Sequence, residues 1–290
     1  MEKIAICILT RGYKNKAQYV DLIWRNRSIQ KAIKSQDLGL NIDHLIFHEG
    51  NISKSHQEFI KKYSGFTGLK FIDVGCEFIN NISTFSSYCY PTELSESFSV
   101  GYKSMCRFWS DRFLDYTKEY RYVARVDEDC FIKSFPLRDL IHEMKASNIN
   151  YLTPKNLYED DPNVTIGLLE MTNDFIAARK IICDTNLSLK VNPYTNVFLL
   201  DAQHYRTSKI LRDFMLTTYE ANGIYVNRWG DLVIWGLAMK ILGENQAKMV
   251  SKKISYIHGS FGEVINGNKT LKIFLAINFF KLVKFALRKI

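Results

Sequence analysis

The sequence predicts an α/β fold in which a central mixed, mostly parallel sheet is flanked by helices, and three observations predict it. Short β-prone runs alternate with stretches of helical length through the first half of the chain. One of these runs, YRYVARVDEDCF at 120–131, is apolar and then ends abruptly in three consecutive acids, as a buried strand ends at the edge of a sheet. The chain has 290 residues and 47% hydrophobic content, enough to bury one large core or two modest ones.

Taken in order, residues 3–9 read as the first strand, with Thr10, Arg11 and Gly12 as its exit loop, and 17–35 as a helix. A second strand is expected at 44–48, a helix at 52–63 and a third strand at 68–74 (GLKFIDV). Residues 80–97 are rich in Ser, Tyr and Asn and read as a loop. A helix at 100–116 leads into the strand that ends at Asp127, followed by a helix at 132–147, a strand at 150–153 and a helix at 168–184. A strand at 196–201, a helix at 205–220 and a loop entering a buried helix at 228–242 complete the series. Without an internal repeat or a Pro/Gly-rich linker, the chain reads as one catalytic domain, 1–265, with a basic amphipathic helix at 266–290.

Charge narrows the partners. The 39 Lys and Arg against 30 Asp and Glu give +9, which favours anions such as nucleotides, phospholipid headgroups or nucleic acid. The bases are dispersed and no RNP, helix-turn-helix or zinc signature is present, so no nucleic acid is expected. Six cysteines without C-x-x-C spacing read as reduced, mostly buried thiols of a cytosolic protein. The first 20 residues hold too short an apolar run for a signal peptide or anchor, which also points to a cytoplasmic location. Residues 271–290 carry five bases and no acid among many Phe, Leu and Ile. Such a helix suits either the anionic inner face of a membrane or packing against the domain.

The acids at the strand end carry the chemistry. In an open α/β sheet ligands bind beyond the carboxyl ends of the strands. Asp127 and Asp129, two apart in an extended segment, would point to one side and offer hard oxygens to Mg2+ or Mn2+, with a diphosphate supplying further ligands. The other reading is a solvated turn or a helix N-terminus.

The surrounding blocks resemble those of glycosyltransferase family 15, the fungal α-1,2-mannosyltransferases. GYKSMCRFWS (101–110) is similar to the family's Y-R-x-M-C-R-F-x-S, and YRYVARVDED (120–129) to its Y-x-Y-Y-W-R-V-E-P-D. NINYLTPKNLYED (148–160), TNVFLLDAQHYRT (195–207) and GIYVNRWGD (223–231) follow in the family's order, and SYIHGSF (255–261) stands where the family has Y-x-H with a metal-binding histidine. The resemblance implies a GT-A fold and retaining transfer of mannose, or a related sugar, from GDP-mannose to a glycan or lipid-linked saccharide, with Mn2+ or Mg2+.

Carried over residue by residue, the resemblance makes Asp127, with Asp129 beside it, and His258 the metal ligands and sets Asp127, Tyr158 and Glu159 at the nucleotide-sugar or acceptor site, while Arg11, after the first strand, and Arg107 and Arg125, which flank the acids in sequence, are each candidates to pair with its phosphates. Arg11 is the preferred phosphate partner because it follows the first strand. Arg228 and Asp231 of the RWGD block would shape the site or the acceptor side. The family's Glu in S-N-F-E-I-A-D is replaced here by Phe198, which leaves Asp201 as the carboxylate for an oxocarbenium-like transition state, or else front-face attack with the leaving phosphate as base. Local alternatives stay open: His258 as a loop histidine, Arg107 as an ion-pair partner of Asp111, Trp229 as core and Asp231 as a helix cap. A UDP-sugar transferase and a degenerate, non-catalytic sugar-nucleotide binder are the competing functional readings.

Overall fold

A computed structural model describes residues 2–34, 39–66, 68–78, 86–159, 161–183, 187–244 and 246–259. The basic helix expected at 266–290, including the membrane-facing stretch 271–290, lies outside the described residues. Among the described residues no helix is long and apolar enough to cross a membrane.

The first half follows the predicted alternation. Strand β1 (Lys3–Thr10) leads to helix α1 (Val20–Lys34), β2 (Asn41–His48) to α2 (Lys54–Ser64), and β3 (Leu69–Asp73) follows. The ends of α2 are set by its sequence: the Ser53 hydroxyl accepts from the His56 amide at one end, and Gly65 takes the left-handed conformation at the other, with φ 75°. The Ser/Tyr/Asn-rich segment contains a short helix, α3 (Glu93–Ser97), capped by Thr92, where a loop was expected.

Helix α4 (Val100–Arg107) continues through a π-helical turn at Phe108–Arg112 into α5 (Phe113–Tyr116), so the expected single helix is present with one wide turn inside it. Strand β4 (Tyr122–Val126) then enters the core with all five residues buried. The next segment departs from expectation. Residues Cys130–Ser134 form a strand, β5, and α6 (Leu137–Ser147) starts only after Pro136. Proline disfavours helical backbone in the residue before it, so the helix could not have begun at 132.

Short strands β6 (Tyr151–Leu152), β7 (Asn156–Tyr158) and β8 (Val191–Pro193) bracket α7 (Leu168–Arg179), which stops five residues before the expected end. Strand β9 (Val197–Asp201) leads to α8 (Ala202–Thr207) and α9 (Lys209–Glu220), two helices where one was predicted. Ser208 divides them, its hydroxyl accepting from the Leu211 amide as the cap of α9. Helix α10 (Gly223–Asn227), the buried α11 (Asp231–Ile241) and strand β10 (Ser255–His258) complete the described chain.

The main sheet has the order β3-β2-β1-β4-β9-β6. The first four strands in that order run parallel, whereas β9 runs antiparallel to both β4 and β6. The chain therefore builds outward from β1 on one side and returns on its other side at β4. The gap between the carboxyl ends of β1 and β4 is the reversal point at which such sheets leave a crevice.

Two features fix that crevice. On one face, the Arg25 guanidinium of α1 is fully buried and donates to the Val126 carbonyl at 3.0 Å and the Cys7 carbonyl at 2.9 Å, tying helix to both strands near their ends. Burial lowers its pKa to about 10, which leaves it charged at neutral pH. On the other face, Phe113, Tyr151, Phe198, Tyr205 and Trp235 form a closed aromatic cluster, with ring centres 5.0 Å apart for Tyr151 and Phe198. β5 and β10 pair outside the main sheet as an antiparallel ribbon that sets Cys130 opposite His258.

Candidate active site

The crevice is lined by the two exit loops. After β1, the Gly12 amide donates to Asn51 Oδ1 at 2.7 Å, and a Cβ at Gly12 would lie 2.3 Å from the Asn51 carbonyl oxygen. Glycine is required there by close approach. Arg11 is exposed at this edge, its guanidinium 5.3 Å from the Tyr13 ring centre.

After β4, Asp127, Glu128 and Asp129 form a tight turn instead of an extended run: the Cys130 amide donates back to the Asp127 carbonyl at 3.1 Å. The turn sends the three carboxylates in three directions, which corrects the expectation that Asp127 and Asp129 share one side. Asp127 is turned inward onto Arg125, whose Nε and Nη2 donate to its two oxygens at 2.7 and 3.0 Å. Glu128 points back to the β1 loop and accepts from the hydroxyls of Thr10 at 2.9 Å and Tyr13 at 3.3 Å. Burial raises the Glu128 carboxyl to about 7 against those hydrogen bonds. Asp129 faces the ribbon, with Oδ2 3.2 Å from His258 Nε2.

Beneath the turn lies Arg125, 3% exposed at its side chain. Its Nη1 donates to Asp231 at 2.5 Å, and the guanidinium stacks 4.4 Å from the Trp109 ring centre, a contact supplied by the π-helical turn. Burial works against this cation, but the Asp127 and Asp231 charges outweigh it and raise its pKa above the usual arginine value. Arg125 thus organises the floor of the site, with its fork occupied by two carboxylates, and is not turned to a phosphate as expected. Burial also raises Asp127 above the ordinary carboxylate range, opposed by Arg125.

The RWGD block spans two parts of the site. Asp231, at the first residue of α11, meets Arg125 as above. Arg228, at a left-handed φ of 59°, is held 4.4 Å from the Phe98 ring centre and donates to the Tyr102 hydroxyl at 2.7 Å, with Glu159 at 3.7 Å. Tyr158 beside Glu159 is 70% exposed. Trp229 is buried, with Nε1 donating to the Ile166 carbonyl at 2.8 Å, and fills space that any side chain at Gly223 would occupy.

Two expected site residues lie elsewhere. Asp201 is at the opposite end of the sheet: β9 runs antiparallel to β4, so Asp201 pairs with Tyr122 at the start of β4 while Val197 pairs with Val126 at its end. Four residues of strand separate the two ends, roughly 13 Å at the usual rise per residue. There Asp201 accepts from the Gln203 and His204 amides as the cap of α8 and pairs with Arg121 at 3.1 Å. Asp201→Asn is therefore expected to leave nucleotide binding and turnover unchanged and to cost about 1 kcal/mol of stability, as read by urea unfolding and a donor titration. Arg107 is committed to Asp111 and stacks 4.3 Å from the Tyr219 ring centre, in agreement with the ion-pair alternative and away from the acidic turn.

Three side chains that build the candidate site were not singled out by sequence reasoning. Asn196, just before β9, accepts from the Asp127 amide through its carbonyl and sets its side-chain nitrogen 3.3 Å from His258 Nε2. Glu128 locks the two exit loops together. Cys130 is fully buried directly after the turn, and its position next to three acids was the available signal.

Among the described residues, Asp129, Cys130 and His258 place one donor atom each within 4.8 Å of one another. An oxygen, a nitrogen and a sulfur suit a divalent transition metal. Nearby, the Tyr256 hydroxyl is buried with no hydrogen-bond partner among the described residues and lies in the field of Cys130, Asp127 and Asp129.

No protein-family model matches the chain. A curated relative, the probable mannosyltransferase KTR4 of Saccharomyces cerevisiae, is 25% identical over 179 residues, which are 54% of this chain and 38% of that protein. The chain thus spans well under half the length of this relative. Two solved structures share the fold. Core-mannan synthase A (CmsA/Ktr4) from Aspergillus fumigatus, in a Mn/GDP form, superposes with a TM-score of 0.68 at 18% identity, covering 88% of this chain and 74% of that one. The mannosyltransferase Ktr4p from S. cerevisiae in complex with GDP gives a TM-score of 0.68 at 18% identity, over 89% and 71%. The chain has the GT-A α/β fold and is similar, as a divergent relative, to the family-15 mannosyltransferases whose ordered blocks its sequence carries.

Proposed function

We propose that this chain is a metal-dependent glycosyltransferase that moves a sugar, mannose from GDP-mannose, onto a glycan or lipid-linked acceptor with retention. The observation that carries the reading is the convergence of Asp129 and His258, 3.2 Å apart, at the carboxyl edge of β4 beside the β1 exit loop. The similar fungal proteins, one with Mn and GDP and one with GDP, support the choice of donor.

A bound divalent cation would neutralise the charge that develops on the leaving diphosphate. Asp129 and His258 would hold it. Arg11, exposed at the β1 exit, would reach a phosphate from that side, and Arg125 holds Asp127 and Asp231 beneath the turn. Phe198 belongs to the aromatic core and Asp201 caps a helix at the far end of the sheet, so neither offers a carboxylate to the anomeric carbon. That arrangement favours front-face attack, with the leaving phosphate taking the acceptor's proton. It also gives the non-catalytic sugar-nucleotide binder its one supporting observation.

Calorimetric titration of GDP, GDP-mannose, UDP and UDP-sugars with and without Mn2+ tests the proposal. Mn2+-dependent binding that prefers GDP, with donor hydrolysis or transfer above background, is the expected result. A preference for UDP would keep the fold and overturn the donor. GDP binding without any turnover would favour the non-catalytic reading.

A further inference from the structure

Resting on the glycosyltransferase reading above, we infer that Cys130 is a third protein ligand of the site's cation, making it a mixed oxygen, nitrogen and sulfur centre with Asp129 and His258. The two aligned blocks of sequence alone would have given an oxygen and nitrogen site. The sulfur comes from a residue whose placement depends on the β5–β10 ribbon.

The three side chains lie within reach of a single ion, their donor atoms within 4.8 Å of one another. Tetrahedral bonds of about 2.0 Å to oxygen and nitrogen and 2.3 Å to sulfur set neighbouring donor atoms roughly 3.3–3.5 Å apart. Asp129 Oδ2 and His258 Nε2 are 3.2 Å apart, and Cys130 Sγ is 3.9 Å from Asp129 Oδ1. The pairing of Cys130 with His258 across the ribbon holds this spacing in the backbone, and the Gly259 amide donates to the Asp129 carbonyl at 3.0 Å to close it. The thiol is buried while Asp129 and His258 remain partly exposed, so an ion has a route in from solvent.

Sulfur changes which ion is preferred. Carboxylate and imidazole accept Mn2+, whereas a thiolate adds affinity for Zn2+ and Co2+ far more than for Mn2+. Coordination replaces the sulfur–hydrogen bond by a sulfur–metal bond and releases the proton to solvent, with no change of oxidation state. In the metal-free protein burial chiefly disfavours the thiolate, Asp127 and Asp129 add to that, and Arg125 and Arg25 oppose it. A divalent cation in contact is a larger local charge than any of them.

Titration of the metal-free protein with Co2+ tests this by absorption. The expected result is a near-ultraviolet thiolate-to-cobalt charge-transfer band that saturates at one equivalent, is displaced by Zn2+ and is missing in Cys130→Ser. In the same variant Zn2+ affinity should fall by about 10-fold or more, while Mn2+ affinity changes far less. A wild-type Co2+ complex without the charge-transfer band overturns the inference, whether or not the serine variant folds. Equal losses for Zn2+ and Mn2+ in a folded variant overturn it too. If Mn2+-dependent GDP binding is present in wild type and the thiolate band is absent, the proposed function stands and the sulfur ligand alone fails. If neither GDP nor any of the three cations binds, both fail.

Discussion

Arg125→Met is expected to lower the unfolding free energy by about 3–5 kcal/mol, the largest stability loss of any single change at the site. The guanidinium is 3% exposed and neutralises two carboxylates at once, Asp127 at 2.7 and 3.0 Å and Asp231 at 2.5 Å. Methionine fills much of the same volume over Trp109 but leaves two inward-facing acids without a counter-charge. Arg125→Lys should recover only part of the loss, because an ammonium cannot reach both partners with a planar fork. A second substitution, Asp231→Leu, added to Arg125→Met should restore stability toward wild type by removing one stranded charge. Urea unfolding of the three variants checks this. A loss of only a few tenths of a kcal/mol in Arg125→Met would mean that the acids find water or one another, and the floor of the site would not be electrostatically built.

The second large effect concerns binding. Asp129→Ala and His258→Ala are each expected to weaken Mn2+-dependent GDP binding by about 100-fold or more, since the cation contributes several kcal/mol at the diphosphate and 1.4 kcal/mol corresponds to tenfold. Both side chains are roughly two-fifths exposed, so their removal should leave the fold intact. The comparison with Asp201→Asn makes the result specific, because that acid lies at the other end of β4. Titration calorimetry with and without EDTA reads the effect. Undiminished metal-dependent binding in either alanine variant would move the cation site away from the Asp129–His258 pair and reopen Asp127 as its ligand.

Much of the site was legible because it sits on local features. A buried run that ends in acids marks the edge of a sheet whatever the rest of the chain does, and the Thr10-Arg11-Gly12 exit loop follows a strand that periodicity alone reveals. Asp129, His258, Asp231 and Arg228 could be nominated because ordered blocks carry them. Their partners could not. Arg107 and Arg125 are both arginines beside apolar residues in sequence, yet one is bound to its helical neighbour Asp111 and the other bridges two acids from distant segments.

Asp201 shows where block matching fails. It lies four residues beyond Val197, and the matched block carries no information about which end of its strand adjoins the acidic turn. Only the antiparallel pairing of β9 with β4 decides that, and it sends Asp201 to the far edge. The helix expected at 132–147 begins five residues late, for a local reason that was available, Pro136, and a tertiary one that was not, since Cys130–Ser134 becomes a strand by pairing with a segment more than 120 residues later.

The sequence by itself determined the α/β alternation, the position of the acidic edge and the residue types that can meet a cation and a diphosphate, because strand and helix periodicity and strand termination are properties of neighbours in the chain. Tertiary structure alone decided which acid turns inward to Arg125, which faces His258, and that Cys130 joins them, because strand direction and cross-strand register are set by packing among segments far apart in sequence.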